Sequence, residues 1–470
     1  MSDINAMSIK NSKSYVIIAF IYAILCALSV LVNIILTAIL VVSPILVGGF
    51  LYIIKNPKWV VLAVFGSLYV GNLFYIVPSE SFPITLFKVV LIGVILLFIF
   101  TLMNTKKLHI DLIGLEIEIL LLAAFIAISL VWSPVPMEGA FYAIRFAVSL
   151  TMCYSVFNLI QDRKTVQQLF LLISVASICV AILSVRDLLS NPYAAVQAYL
   201  SGGTKIGDRA TVVDIDPNIV STLFFLPAFY GASLYSNLKA EKKMQIFGGI
   251  IVAACLAGSL ATLSRSGLLS LGVGLAIISF KMRSQRLIIT AIIGALIILV
   301  IKPDLVFTLT SLVRRFTGLF TGEVDNSASI RINLMVASWD MFVNSNFIGI
   351  GFRGFGTTYL ATHYVSSAAQ VYEPHNMTYT IYTELGLHGF LLVSWIVIYT
   401  FRTALENLNT CLTYQKNASM LAINQAVFTS LVAYMIFFQF LSGAYNNNLF
   451  LLCCTLTFIL RKVMHNDIHG

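Results

Sequence analysis

Long apolar runs dominate the chain and alternate with short polar stretches. A run of roughly 20 residues crosses the hydrocarbon core of a bilayer as an α-helix. Fourteen such runs occur, at 15–33, 35–54, 59–77, 84–103, 114–132, 139–159, 167–185, 218–236, 246–263, 266–280, 287–302, 378–401, 423–441 and 447–460. The first pair and the pair around Thr262 are nearly continuous. The pattern therefore predicts an all-α polytopic membrane protein with 12–14 transmembrane helices in a single domain over residues 1–470.

Composition agrees with this pattern. Hydrophobic residues make up 59% of the chain and charged residues only 10%, whereas soluble proteins carry about 25% charged residues. These values exclude a soluble globular protein. Six of the seven cysteines fall inside apolar runs, so neither a disulfide framework nor a thiolate metal site is indicated.

The net charge of +9 is explained by membrane topology rather than by a polyanionic partner. Eighteen of the 29 lysines and arginines lie in loops that fall on one side of the membrane, together with both termini. The positive-inside rule assigns that side to the cytoplasm. The charge thus gives no reason to expect nucleic acid as a partner.

Two longer polar segments, 186–217 and 303–376, fall on the opposite, outer side. In the second, apolar residues at helical spacing over 305–319 predict an amphipathic helix at the membrane surface. A second helix is expected over 331–343, followed by a glycine-rich turn at 349–356. Function is expected in these outer segments.

Arginine dominates the basic residues of the outer side. They are Arg186, Lys205, Arg209, Arg265, Lys302, Arg314, Arg315, Arg331 and Arg353. A guanidinium presents a planar fork of donors that fits phosphate oxygens in pairs, which suits a phosphate-bearing ligand. Arg209, Arg265, Arg331 and Arg353 are the binding candidates, whereas contact with water or lipid headgroups is favoured for Arg186, Arg314 and Arg315.

Three further basic positions lie close to hydrocarbon. Arg265 sits in a short polar turn between two apolar runs, where an insertion cost of about 2.5–3.5 kcal/mol favours a functional role over a structural ion pair. Lys88 and Arg145 fall inside runs near their outer ends. Substrate binding and snorkelling of the side chain to the interface are both open for them.

His375 is the strongest acid–base candidate. It follows Pro374 directly before an apolar run, so its imidazole is expected at the outer membrane surface. A histidine can accept a proton near neutral pH, and Asn376 beside it is a candidate for substrate binding. The alternative is a histidine that only caps the helix; His363 and His388 have weaker contexts. Metal-ligand spacing is lacking, so a metal-independent site is predicted.

Taken in order, the outer motifs resemble the bacterial O-antigen ligase and O-antigen polymerase superfamily. The motifs are Arg209 before Asp216-Pro217-Asn218, Thr262 to Gly267, Arg331 leading to Gly349-Ile350-Gly351, Pro374-His375-Asn376, and Glu384 to Gly389. The resemblance implies a GT-C-like glycosyltransferase of the bacterial inner membrane with a periplasmic active site. It also implies that Arg265, Arg331 and His375 are essential.

The implied donor is a glycan on undecaprenyl diphosphate. The arginines would hold the diphosphate and stabilise its charge, while His375 would take the proton of the acceptor hydroxyl. Inversion at the donor sugar is then expected, without cofactor or metal. The acceptor would be a second lipid-linked repeat unit or the lipid A core; membrane lipids and a chain-length regulator protein are the other expected partners.

Two alternatives stay open on the sequence. Polymerisation of repeat units is favoured over ligation to the lipid A core, but no residue decides between these acceptors. A transporter or flippase of lipid-linked oligosaccharide is the more distant alternative. Transporters often show internal repeats and charges near the bilayer midplane, whereas here no repeat is detected and the charges lie near the outer face.

Overall fold

The computed structural model describes most of the chain after residue 55. The described residues are 56–70, 75–77, 84–104, 110–190, 216–237, 240–282, 326–362, 373–414, 417–442 and 447–469, with a few positions between 286 and 292. The predicted spans 15–33 and 35–54, the surface helix 305–319 and most of the span 287–302 lie outside them. Contacts divide the chain into two units, 1–59 and 60–470, and everything below concerns the second.

Helices make up nearly all of the described structure. They are α1 (Lys58–Val70), α2 (Leu86–Asn104), α3 (Glu116–Ser129), α4 (Pro136–Leu159), α5 (Arg163–Ser190), α6 (Pro217–Thr222), α7 (Phe225–Ser236), α8 (Lys242–Ala261), α9 (Arg265–Met282), α10 (Asn326–Asn344), α11 (Phe355–Thr362), α12 (Met377–Tyr414), α13 (Ala418–Phe437) and α14 (Asn448–His469). Two short strands, β1 (Tyr75–Val77) and β2 (Ile84–Thr85), pair antiparallel.

Nine candidate spans in the described part of the chain are long and apolar enough to cross a membrane. They are Leu86–Met103, Pro136–Leu159, Arg163–Ser190, Pro217–Ser236, Lys242–Ala261, Arg265–Met282, Met377–Thr413, Ala418–Phe437 and Asn448–Asn466. The predicted class, an all-α polytopic membrane protein, is confirmed. The helix predicted over 59–77 was wrong at its end, because α1 stops at Val70 and the β-branched and aromatic residues 75–77 form β1.

The span formed by α6 and α7 is the centre of the bundle. Helices α5, α8, α9 and α13 all pack against α7, and nearly all of its residues are buried. Its polar contacts are internal: Ser233 donates a hydrogen bond to Gln425 of α13, and Tyr434 donates to the carbonyl oxygen of Thr222 over 3.3 Å. The sequence patterns around residues 216 and 264 are thus anchored on a rigid core.

Helix α12 is broken at Gly386, where φ is 64° and ψ is −165°, a conformation that essentially only glycine adopts. The break exposes backbone carbonyls to the turn after α10. Ile350 donates its N–H to Thr383 O over 2.9 Å, and Gly351 donates to Glu384 O over 3.0 Å. In return, Leu387 donates to Phe347 O over 2.9 Å. The two glycine motifs are therefore one hydrogen-bonded unit.

Candidate active site

The motif at 216–218 and the turn before α9 lie in contact, although 46 residues separate them in the chain. Asp216 accepts a hydrogen bond from the N–H of Asn218 over 2.7 Å and caps α6. Ser264 Oγ donates to Asn218 Oδ1 over 2.8 Å and accepts from the N–H of Gly267 over 3.2 Å. Arg265 therefore begins α9 beside the N-terminus of α6.

Asn376 fixes the start of α12. Its Oδ1 accepts the N–H of Tyr379 over 3.1 Å, and its Nδ2 donates to the carbonyl oxygen of Gln439 over 3.0 Å. Met377 donates its N–H to Phe438 O over 2.8 Å, which ties the same turn to the end of α13. The capping role that was open for His375 thus belongs to its neighbour, and the binding role predicted for Asn376 stays a prediction.

His375 lies in the turn that Asn376 anchors, half-buried and with φ of 50°. Burial and the positive charge of Arg331 lower the pKa of its imidazole below the ordinary value of 6.5, and the carboxylates of Glu373 and Asp216 oppose this shift in part. His375 is consequently neutral at pH 7 and able to accept a proton. Arg331, Glu373 and Asp216 therefore lie within electrostatic range of the imidazole.

Arg331 lies near the start of α10, a helix that confirms the one predicted over 331–343. Helix α10 packs on the first turns of α12, where Thr383 Oγ1 donates to Ser338 O over 3.1 Å. This packing places the N-terminal half of α10 beside the turn of His375. Three motifs that are distant in sequence therefore meet at one end of the bundle.

Arg353 is held by acidic and aromatic neighbours. Its guanidinium pairs with Glu373 over 2.7 Å and Glu138 over 3.2 Å, and it lies 4.2 Å from the ring centroid of Tyr142. Its backbone N–H donates to the buried carboxyl group of Glu384 over 3.0 Å. Since Glu373 also acts electrostatically on His375, Arg353 is connected to the histidine through a carboxylate.

Lys88 and Arg145 form a second basic pair next to this network. Helix α2 packs on α4, and the two side chains lie within electrostatic range of each other. Arg145 shares one face of α4 with Tyr142 and Glu138, since these residues are three and seven positions apart from it. The pair thus borders the neighbours of Arg353 rather than those of His375.

The remaining predicted site residue, Arg209, lies outside the described residues. Across the described ranges, no group of three or more histidine, cysteine, aspartate or glutamate side chains is placed to hold a metal ion. Metal independence stays a prediction.

Sequence patterns did not indicate the residues that surround the histidine and arginines. Glu138 and Tyr142 lie at the start of an apolar run, and Gln439 at the end of another, without any motif around them. Glu373 stands two positions before His375, and its pairing with Arg353 could have been suspected from the opposite charges at two neighbouring outer motifs. The other contacts depend on helix packing that a single sequence does not reveal.

Comparison with known protein families gives a match for part of the chain. Residues 250–394 match the family model described as O-antigen ligase, while the curated proteins include no match to the chain. The matched range contains Arg265, Arg331, Arg353 and the turn with His375, and it ends in α12 shortly after the break at Gly386. The match supports the resemblance inferred from the motifs: residues 250–394 are similar to the O-antigen ligase family.

Proposed function

We propose that the chain is a glycosyltransferase whose active site is built around His375, Arg331 and Arg265. One observation carries the proposal: a half-buried histidine, with its pKa lowered by burial and by Arg331, lies at the membrane-surface end of a helix bundle. A neutral imidazole beside a guanidinium suits a reaction that removes a proton near a phosphate anion.

The donor in this proposal is a glycan linked to a polyprenyl diphosphate, undecaprenyl diphosphate in bacteria. Two features support it. Arg265 and Arg331 supply guanidinium groups, which bind phosphate oxygens in pairs. Ser264, just before α9, is hydrogen-bonded to Asn218, and Asp216 of that motif lies within electrostatic range of His375, just before α12. The N-termini of α9 and α12 therefore lie at the same end of the bundle, and helix N-termini carry partial positive charge that favours anions.

The reaction would be a direct displacement. The acceptor hydroxyl attacks C1 of the donor sugar, its proton passes to the imidazole of His375, and the bond from C1 to the diphosphate oxygen breaks. The polyprenyl diphosphate leaves with the bonding electron pair, and the arginines stabilise its added charge. Because the acceptor attacks from the face opposite to the leaving diphosphate, this single displacement inverts the configuration at C1. The bond energy of the donor drives transfer, so neither nucleotide nor metal takes part in the proposed step.

Polymerisation of surface-polysaccharide repeat units at the periplasmic face is the favoured activity, with ligation to the lipid A core as the alternative. The two differ only in the acceptor. The lipid-linked products of a deletion strain separate them. Accumulation of single lipid-linked repeats supports a polymerase, whereas uncapped core together with intact lipid-linked polymer supports a ligase.

The proposed chemistry is tested on the purified protein with lipid-linked repeat units as substrate. His375→Ala should lower turnover by about 10² to 10⁴, the usual contribution of a general base, and leave donor binding nearly unchanged. His388→Ala is the matched control, since His388 is exposed on α12 and packs near Phe125. Equal turnover in both variants would refute the assignment of His375. Transport of the lipid-linked sugar without formation of a glycosidic bond would refute the assignment as a glycosyltransferase.

A further inference from the structure

A cavity of about 580 Å³ lies far from His375. Its lining comes from the segment before α3, from the C-terminal part of α4, from the middle of α12 and from the last turns of α14. The lining residues are Ile110, Asp111, Leu112, Ile113, Gly114, Phe157, Tyr399, Phe458, Arg461, Lys462, His465 and Asn466. The proposed glycosyl transfer uses none of them.

The cavity opens at the opposite end of the bundle. Glu138, which contacts the Arg353 network, and Phe157, which lines the cavity, lie 19 residues apart on α4. A helix rises 1.5 Å per residue, so the two positions are separated by roughly 30 Å, the thickness of the hydrocarbon core. The cavity therefore faces the membrane leaflet opposite to the one that faces His375.

Basic residues dominate the charged part of the lining. Lys462 pairs with Asp111 over 3.1 Å, donates to Phe157 O over 2.5 Å and lies 4.4 Å from the Phe157 ring centroid. Arg461 and His465 lie one turn apart on α14 and are both exposed. Asp111 offsets the charge of Lys462, and Arg461 adds a further positive charge to the lining, with the imidazole of His465 one turn away.

Glu116 is the neighbouring acid. Its carboxylate accepts hydrogen bonds from the backbone N–H groups of Ile113 and Gly114, the latter over 2.9 Å. These bonds hold the segment that forms one wall of the cavity. The carboxylate is thus occupied in holding the wall, and the basic side chains of the cavity belong to α14.

The other walls are aromatic and apolar. Tyr399 and Phe458 stack with their ring centroids 6.2 Å apart. At the segment before α3 and the start of α3, Leu112 and Ile117 are 70% and 72% exposed, as is expected for residues that face lipid chains. A cationic rim that continues into an apolar outer surface fits a molecule with both an anionic head and hydrocarbon tails.

We propose that this cavity binds the phosphate headgroup of an anionic phospholipid in the leaflet opposite the His375 site. Arg461 and His465 would contact the phosphate, Lys462 would line its floor, and the acyl chains would lie along Leu112 and Ile117. Basic pockets between transmembrane helices are known to bind anionic headgroups in this way. A free phosphate shares the headgroup chemistry but would gain nothing from the apolar wall.

The test uses the full chain purified in detergent and stripped of lipid. Phosphatidylglycerol and phosphatidylcholine are added separately, and bound lipid is counted by native mass spectrometry. Wild type should bind phosphatidylglycerol in preference to phosphatidylcholine. Arg461→Gln should weaken phosphatidylglycerol binding about fivefold, the effect of one basic residue near an anionic headgroup. His465→Gln should weaken it as well.

Arg402→Gln is the matched control, because Arg402 is exposed on α12 one turn beyond Tyr399 and pairs with Glu406 outside the cavity. It should bind phosphatidylglycerol as wild type does. Equal loss in Arg402→Gln and Arg461→Gln would overturn the proposal, since it would show a general charge effect. Thermal stabilisation by inorganic phosphate that depends on Arg461, without any by phosphatidylglycerol, would overturn it in favour of a free anion.

Discussion

Arg331 and Arg353 carry the same charge but meet different neighbours. The charge of Arg331 acts on His375 and lowers the pKa of the imidazole. Arg353 is bound by Glu138 and Glu373 and lies over Tyr142. A diphosphate would have to compete with these two carboxylates for the guanidinium of Arg353. The binding role of Arg353 stays a prediction.

Lysine substitutions test whether Arg331 and Arg265 grip the diphosphate with paired hydrogen bonds. Lysine keeps the charge but loses the planar fork. Loss of one charge-assisted hydrogen bond, about 1.5–3 kcal/mol, should lower kcat/KM about ten- to hundredfold in Arg331→Lys and in Arg265→Lys. Arg402→Lys should match wild type. Full activity in Arg331→Lys or Arg265→Lys would show that this arginine does not bind the diphosphate and contributes only to membrane topology.

The carboxylate of Glu373 should set the acid limit of activity. Activity is expected to fall as the pH drops through the pKa of His375, because the protonated imidazole cannot act as a base. Glu373 raises that pKa, so Glu373→Gln should lower it and move the acid limb of kcat to lower pH. The measurement is the pH profile of turnover for both proteins.

The test compares the pH at which turnover falls, not the maximal turnover. Glu373→Gln also breaks the ion pair with Arg353, which can change the maximal turnover by itself. Glu406→Gln serves as a control, as Glu406 pairs with Arg402 on the exposed part of α12. An acid limb that stays in place in Glu373→Gln, or moves to higher pH, would contradict the arrangement around His375.

Among the helices, α12 shows most clearly what sequence reasoning reached and missed. Its apolar run predicted a helix over 378–401, and the structure has a helix from Met377 to Tyr414. The break at Gly386 was not predicted, because a glycine inside an apolar run does not by itself distinguish a helix interior from a kink. The kink depends on the turn at 347–351. The N–H groups of this turn need hydrogen-bond acceptors, and the break in α12 exposes the backbone carbonyls that accept them.

Replacement of Gly386 by alanine should destabilise the protein. The conformation at this position costs a residue with a side chain about 1–3 kcal/mol, and an added Cβ would collide with the backbone of Ile348. A lower midpoint of thermal unfolding in detergent is therefore expected. Gly272→Ala is the control, because a Cβ at Gly272 in α9 meets nothing within 4 Å and alanine favours helix. An unchanged midpoint in Gly386→Ala would contradict the kink.

At the scale of the whole molecule, the two ends of the bundle have different chemistry. One end gathers hydrogen bonds among the outer motifs, such as those of Asn218 with Ser264 and of Asn376 with Gln439. The other end carries the ion pair of Lys462 with Asp111, and the topology predicted from the sequence assigns most of the basic residues to that side. The division follows from the alternation of apolar spans and polar loops. Each span takes the chain to the opposite end of the bundle, so successive polar loops lie at alternate ends.

The predicted orientation assigns the end with His375 to the outside. A cysteine at Thr357, an exposed position of α11, should then be labelled by a membrane-impermeant maleimide in intact spheroplasts. A cysteine at Asn409, exposed near the far end of α12, should be labelled only after the membrane is opened. Labelling is read as a mass shift on a gel. The reverse pattern would place the site in the cytoplasm and exclude a periplasmic donor.

Sequence alone was sufficient for the class of the fold, and it named the residues around which the candidate site is proposed. Apolar run length predicted the spans, and the cost of Arg265 near hydrocarbon marked its turn. His375 stood out as a base beside a membrane surface. The sequence could not show that Asp216 lies within electrostatic range of His375, because 159 positions separate the two residues in the chain. Nor could it show the cavity, which forms only when four separate segments meet.

The backbone pairing between residues 347–351 and 383–387 has a consequence for exchange of parts between related proteins. Outer loops are the natural segments to swap when acceptor or sugar preference is to be changed. Here the backbone beside Arg353 is hydrogen-bonded to the interior of the span formed by α12. A chimera whose exchanged segment ends at the membrane surface would therefore separate hydrogen-bonding partners. A functional chimera has to carry residues 326–387 as one block, and recombination in nature faces the same boundary.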